Sequence, residues 1–264
     1  MSDLLPAIFL GIIEGLTEFL PISSTGHLLI AQHWLPRQSD FFNIVVQAGA
    51  ILAITLVFRQ RIWSIITGFN EPQNRDYAIK IVAAFMVTAL VGLPVRKMGW
   101  ELPETVTPIA WALIIGGVWM LLAEHFAEKK GTNNTNITWT VVVLVGLAQV
   151  VAGVFPGTSR SAAAIFMAML AGVTNRTAAA EFVFLVGIPT MFAASGYTFL
   201  ELVMEGNVAN EAWGSVAVAF IAATLTGFIV VRWLMGFIKK YRYTGFAIYR
   251  MLLGAALLLW LPGQ

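Results

Sequence analysis

The chain has 264 residues, 58% of them hydrophobic and only 11% charged, which is far more apolar than a water-soluble domain of this size. Its formal net charge of +2 is spread among lysines and arginines scattered between apolar stretches, so nucleic acid is excluded as a partner. The absence of cysteine excludes disulfides, thiolate nucleophiles and cysteine metal sites, leaving a polytopic protein whose solvent and first partner is the membrane bilayer.

The opening stretch MSDLLPAIFLGIIEGLTEF has no basic leader region and no small-residue cleavage site, and it reads as mature sequence. Residues 4–35 are apolar but are split at Pro21 into halves too short to cross a bilayer, the pattern of a re-entrant helix pair. Spans follow at 40–58, 77–95 and 107–123. A second split segment, 137–173, is broken at Pro156 and precedes spans at 181–203, 212–234 and 244–261. The expected fold is therefore all-α, with six transmembrane helices and two re-entrant hairpins in one membrane domain, 1–264.

The two broken segments are copies of one device. A shift of 135 positions carries Gly11 onto Gly146, Glu14 onto Gln149, Pro21 onto Pro156, Ser23 onto Thr158 and Ser24 onto Ser159. Repeat one covers about 1–125 and repeat two about 137–264. Each holds a hairpin and three spans, and an odd number of crossings inserts the second copy upside down, giving an inverted-topology repeat. Loop charges agree with this. With the 59–76 loop in the cytoplasm, Arg59, Arg61, Arg75, Lys80, Lys129, Lys130, Arg176, Arg232, Lys239, Lys240 and Arg242 all fall on that side, eleven of the 16 basic residues. Arg37, Arg96 and Lys97 remain on the other, where the 204–211 loop carries Glu205 and Glu211 but no base. The hairpins then dip in from opposite faces, and their tips meet near the midplane.

Polar groups at such a depth are costly, so they mark where a membrane protein works. At the first tip Glu14 and Glu18 stand one helical turn apart on one face, where two carboxylates repel unless a shared proton or a hard cation such as Mg²⁺ or Ca²⁺ lies between them. Ser23, Ser24, Thr25 and Gly26 follow, suited to a turn that offers N–H and O–H groups to an anion, and His27 is the nearby group able to move a proton near neutral pH. At the second tip, Gly157, Thr158, Ser159 and Ser161 surround Arg160, whose planar fork matches phosphate. Together the tips describe a phosphate site with a metal and an acid–base group. Simpler roles compete. The hydroxyl residues are ordinary caps and turns; Arg160 finds an ion partner in Glu14 or Glu18; Arg250, inside the last span, divides evenly between a structural ion pair and a second anion contact. His33 and His125, near segment ends, are assigned no catalytic task.

EGLTEFLPISSTGHL and PGTSRS, in this order and separation, resemble the undecaprenyl-diphosphate phosphatases of the bacitracin-resistance type, and the likeness extends through EFVFLVGIP and FAIYR. The resemblance implies an integral phosphatase of the bacterial cytoplasmic (inner) membrane. Such an enzyme hydrolyses a polyprenyl diphosphate to the monophosphate and inorganic phosphate, recycling the lipid carrier for cell-wall synthesis with a divalent cation. It implies catalytic roles for Glu18, Ser24, His27 and Arg160, a metal on Glu14 and Glu18, and substrate contacts at Glu14, Thr25, Gly157, Thr158, Ser159 and Ser161, in a site open toward the outer face. A homodimer is compatible with all of this. The second motif departs from the family pattern, with Ala162 and Ala164 where a glycine and a threonine are common. The alternative function is a transporter or flippase of a phosphorylated lipid or anion using the same midplane site.

Overall fold

The computed structural model describes residues 4–99, 105–130, 133–206 and 211–260. Among them are helices and no strand: α1 (Leu4–Thr17), α2 (Ser24–Trp34), α3 (Asp40–Val57), α4 (Arg59–Thr67), α5 (Pro72–Lys97), α6 (Val106–Lys129), α7 (Trp139–Val154), α8 (Arg160–Leu170), α9 (Arg176–Met204), α10 (Trp213–Phe237) and α11 (Thr244–Trp260). Five of these, α3, α5, α6, α9 and α10, are long and apolar enough to cross a membrane, so the protein is multi-pass. The expected sixth span is α11, an apolar helix of 17 described residues; Leu261, its expected end, lies outside the described residues, as do parts of the 124–136 and 204–211 loops.

Helices run past the apolar stretches that announce them. Pro72, with its φ already helical and no N–H to lose, starts α5 five residues before the expected Tyr77. α6 continues to Lys129, and α9 starts at Arg176, because nothing in those charged turns breaks the hydrogen-bond ladder. Part of the expected 59–76 loop is the short helix α4, whose Ile62 and Ile65 pack on the main core. Its nine residues are too few to stand out as an apolar run.

The packing of the two halves corresponds. α1 lies against α10 and α7 against α5; α3 also packs on α10 and α9 on α5, while α6 and α11 pack on each other. Glycine permits the tightest of these contacts. A Cβ at Gly11 would collide with the carbonyl of Ala219, and one at Gly146 would stand 2.8 Å from the carbonyl oxygen of Ala84. Ala84 and Ala219 are themselves 135 positions apart, so the register read from the two hairpins extends to the helices that receive them.

Charges separate toward two ends. At one end Arg61 pairs with Glu181 at 3.0 Å, Arg176 with Glu124 at 2.8 Å and Glu128 at 2.7 Å, and Arg242 with Glu128 at 2.8 Å. α7 and α8 both anchor there, through Lys80 over the Trp139 ring and Lys130 Nζ donating to the Leu170 carbonyl. α1 and α2 anchor elsewhere: Ala7, Leu10, Leu28 and Leu35 pack with Phe41, Phe42 and Val216 at the starts of α3 and α10. Gly11→Ala and Gly146→Ala are each expected to cost about 1–3 kcal/mol by overpacking against backbone. Thermal unfolding in detergent should show comparable losses for both, since the two contacts are equivalent.

Candidate active site

Each hairpin turns on a serine in an unusual conformation. Ser23 caps α2 at φ 73°, ψ 103°, and Ser159 caps α8 at φ 67°, ψ 111°. They are the only non-glycine residues with positive φ among the described residues. Each side chain accepts from the backbone N–H three residues on, Gly26 and Ala162, at 3.3 Å in both cases. Backbone in this region is strained by about 1–3 kcal/mol and collects at functional sites. The match also corrects the register at the tips. Ser23 corresponds to Ser159, not to Thr158, because the second turn holds one residue more than the first. The first helical residues, Ser24 and Arg160, are therefore counterparts.

The tips meet. Glu18, Ser23, Ser24, Thr25 and Gln47 from one half and Ala152, Gly157, Ser159 and Arg160 from the other line a single polar cavity of about 390 Å³. Ser161 fastens them, donating from its buried hydroxyl to the carbonyl of Leu20 at 3.2 Å and sharing a hydrogen bond with Ser159 at 3.1 Å. Within the cavity Ser24 Oγ donates to Glu18 Oε2 at 2.5 Å, a charge-assisted bond at the short end of the range. Arg160 takes no ion partner: among the described residues its guanidinium makes neither a salt bridge nor a hydrogen bond. Glu14, 4% exposed, lies within electrostatic reach of Glu18 and Arg160, and its Oε2 is buried without a partner. With Ser24 and Thr25 it borders a larger polar vestibule of about 1340 Å³ that runs to Arg37, Asp40 and Arg96.

Other expected residues lie differently. His27 borders none of these cavities. Its Nδ1 is 2.7 Å from the carbonyl of Ser23, which can only accept, so Nδ1 carries a proton; Nε2 is 2.7 Å from the hydroxyl of Tyr249, whose ring stacks on the imidazole. Both nitrogens are engaged away from Ser24. The carboxylate that accepts the Ser24 hydrogen bond is Glu18, while His27 bonds the Ser23 carbonyl at the turn. Thr158 points to an apolar groove beside α6 rather than into the polar cavity, and Gly157, at φ 90°, presses its α-carbon onto Ile109, leaving no room for a side chain.

Arg250 is fully buried and faces neither a carboxylate nor the cavity. Its Nε donates to Leu113 O at 3.1 Å and Nη1 to Pro21 O at 3.4 Å, while Nη2 reaches Ala112 O at 3.1 Å and both Gly157 O and Thr158 O at 3.0 Å. The arginine thus ties α6 to both turns through backbone oxygens, which resolves the even division between ion pair and anion contact in favour of neither. Sequence reasoning missed Gln47, Gln149 and Tyr249. The two glutamines were detectable as amides within apolar stretches; Tyr249 was not, since tyrosines are ordinary near membrane helix ends.

Glu14 and Glu18 supply hard oxygens and Glu14 Oε2 has a free lone pair, which fits Mg²⁺ or Ca²⁺. Among the described residues no third acidic or histidine ligand joins them, so a cation there would draw its other ligands from hydroxyls, water or a phosphate.

A family model described as "Bacitracin resistance protein BacA" matches residues 7–256. Relatives named undecaprenyl-diphosphatase include those of Xanthomonas axonopodis pv. citri, 70% identical over 99% of this chain and 98% of its own length, and Stenotrophomonas maltophilia, 70% identical over 99% of both. That of Xanthomonas oryzae pv. oryzae is 68% identical over the same 262 residues. Replacing Arg250 with methionine strands several buried carbonyls and is expected to cost about 3 kcal/mol or more. Denaturant unfolding in micelles checks it, and Arg250→Lys should rescue little, because one ammonium does not span the two turns and α6.

Proposed function

The chain belongs to the bacitracin resistance protein BacA family, and from that membership and the cavity between the tips we infer that it is an undecaprenyl-diphosphatase. It is an integral membrane hydrolase that converts undecaprenyl diphosphate to the monophosphate and inorganic phosphate, the step that returns the lipid carrier to cell-wall synthesis. The observation that carries the reading is the Ser24–Glu18 bond of 2.5 Å in a cavity shared with an unpaired Arg160. Transport of the same lipid would use the arginine but has no need of a hydroxyl held by a carboxylate.

In the mechanism, Arg160 and the first-turn amides of α8 bind the terminal phosphate. Ser24 Oγ attacks the terminal phosphorus and Glu18 accepts its proton; the bond from phosphorus to the bridging oxygen breaks, and the electron pair leaves on the prenyl monophosphate. Glu18 gives that proton to the departing monophosphate oxygen; the freed carboxylate then takes a proton from water as it attacks the phosphoserine phosphorus, the bond to Ser24 Oγ breaks, and Glu18 returns the proton to Ser24 Oγ as inorganic phosphate leaves. His27 and Tyr249 hold the Ser23 carbonyl, and with it the direction of Ser24. Glu14 and Glu18 would hold Mg²⁺ or Ca²⁺, which when bound supplies charge neutralisation at the phosphate oxygens.

The topology we infer is an inverted repeat of six spans and two re-entrant hairpins, with repeat one at about 1–125 and repeat two at about 137–264. The exchange of helix partners between halves and the paired positive-φ serines support it. The ion-paired basic end faces the cytoplasm under the positive-inside rule, so the vestibule at Arg37 and Arg96 opens to the outer face of the bacterial inner membrane.

Phosphate release by the purified protein in detergent tests the function, since transport has no meaning without a membrane. Ser24→Ala and Glu18→Gln are each expected to lower kcat by about 10²–10⁴-fold with the fold retained. Unaltered turnover in both would remove the nucleophile and base assigned here. Tyr249→Phe is expected to leave most of the rate, whereas His27→Ala loses more because the Ser23 carbonyl is released; equal losses would show that the histidine acts only through its tyrosine. Chelation should depress the parent rate, restored by Mg²⁺ or Ca²⁺, and Glu14→Gln should raise the cation concentration needed.

A further inference from the structure

Two apolar grooves open sideways from the tips, and they differ in what waits at the inner end. One, of about 1280 Å³, lies between α6, α7 and α8 and reaches Arg250, whose N–H groups are already committed to carbonyls. The other, of about 1160 Å³, lies between α5, α7 and α9 and reaches Arg160, whose guanidinium is uncommitted. Beside Arg160 in this second groove stands Gln149. It is 4% exposed, and both its Oε1 and its Nε2 are buried without a partner. The same amide borders a small cleft with Glu18, Arg160 and Ser161, so it stands at the seam between groove and polar tip. It occupies the place in α7 that Glu14 holds in α1, yet it is neutral and carries two N–H donors, so it attracts a phosphate oxygen that a carboxylate there would repel.

The other end of the groove is equally specific. Arg96 borders both the groove and the polar vestibule; it lies 5.1 Å over the Tyr197 ring and is held by Thr198 at 3.2 Å and Glu201 at 3.3 Å. Polar and apolar space therefore run side by side from Arg96 to Arg160, which is the shape of an amphiphile with an anionic head. Gly153 keeps the groove open, since a Cβ there meets nothing within 4 Å.

We propose that the α5–α7–α9 groove holds the tail-proximal isoprenoid units of the lipid diphosphate and that Gln149 Nε2 donates to the phosphate next to the tail. This rests on the phosphatase reading above. It assigns the tail one of two available grooves and gives the head a contact outside both tip motifs.

Steady-state phosphate release from undecaprenyl diphosphate in detergent tests it. Gly153→Phe and Ala193→Phe, filling the groove from opposite walls, should each raise KM at least about tenfold with kcat little changed, as expected when binding common to ground and transition states is lost. Ile115→Trp, which fills the α6–α7–α8 groove instead, should leave KM at the parent value. Gln149→Glu keeps the shape of the side chain but replaces a donor by a like charge, and should raise KM at least as far as Gln149→Leu. Parental KM in both groove-filling variants, or a rise confined to Ile115→Trp, would overturn the placement of the tail. Parental KM in Gln149→Glu would overturn the phosphate contact. If the parent itself released no phosphate, the phosphatase reading would fall and this proposal with it.

Discussion

The guanidinium of Arg250 donates to both broken hairpins at once. A turn packed among apolar helices leaves carbonyls that need a donor, and two such turns side by side double the need. Arg250 answers it from α11 by donating to Pro21 in one turn and to Gly157 and Thr158 in the other, with Ala112 and Leu113 of α6 completing the set. All of these acceptors are backbone carbonyls, and the Met120 sulfur, 3.5 Å from Nη1, is the one side chain that joins them, so the arrangement depends chiefly on the turns keeping their shape. Together with the Ser161 bond to the Leu20 carbonyl, this planar fork ties the tips that bring Glu18 and Arg160 to one cavity.

The two arginines of the core divide the work. Arg250 has every donor occupied and is sealed from solvent. Arg160 is half-buried, unpaired, and borders the polar cavity and the lateral groove alike. One permanent charge has been spent on architecture, which frees the other for a ligand. The same division holds for the carboxylates: Glu124, at the basic end, is saturated by Arg176, Tyr243 and Thr244, whereas Glu14 keeps a bare oxygen next to the tips.

Much of this was legible in the chain itself. Pro21 and Pro156 located the breaks, and Gly11 and Gly146 set a register that proved to govern helix packing as well. Glu18, Ser24, Thr25, Gly157, Ser159 and Arg160 were all assigned to a common site, and all six line one cavity. What escaped notice depends on backbone direction and on distant partners. No one-dimensional comparison reveals that a single extra residue in the second turn pairs Ser23 with Ser159, since both neighbours are hydroxyl residues too. The position of His27 beside Ser24 suits a proton carrier, but its contact with Tyr249, more than two hundred residues away, is something sequence spacing does not encode. The helix α4 was lost because nine residues of mixed polarity are indistinguishable from a loop until packing selects their buried side.

The paired serine caps also place the amino ends of α2 and α8 on opposite walls of the same chamber. Each such end carries roughly half a positive charge from its unpaired peptide dipoles, and here they confront one another alongside a full guanidinium charge. The fields of the two ends oppose one another, and the Glu18 carboxylate in the same chamber offsets them in part. A diphosphate bound there, as proposed above, would convert that repulsion into joint attraction. Once the reaction has divided it, each fragment holds fewer of those charges together than the intact molecule did, so the same opposed dipoles that draw the substrate in weaken their grip on the products.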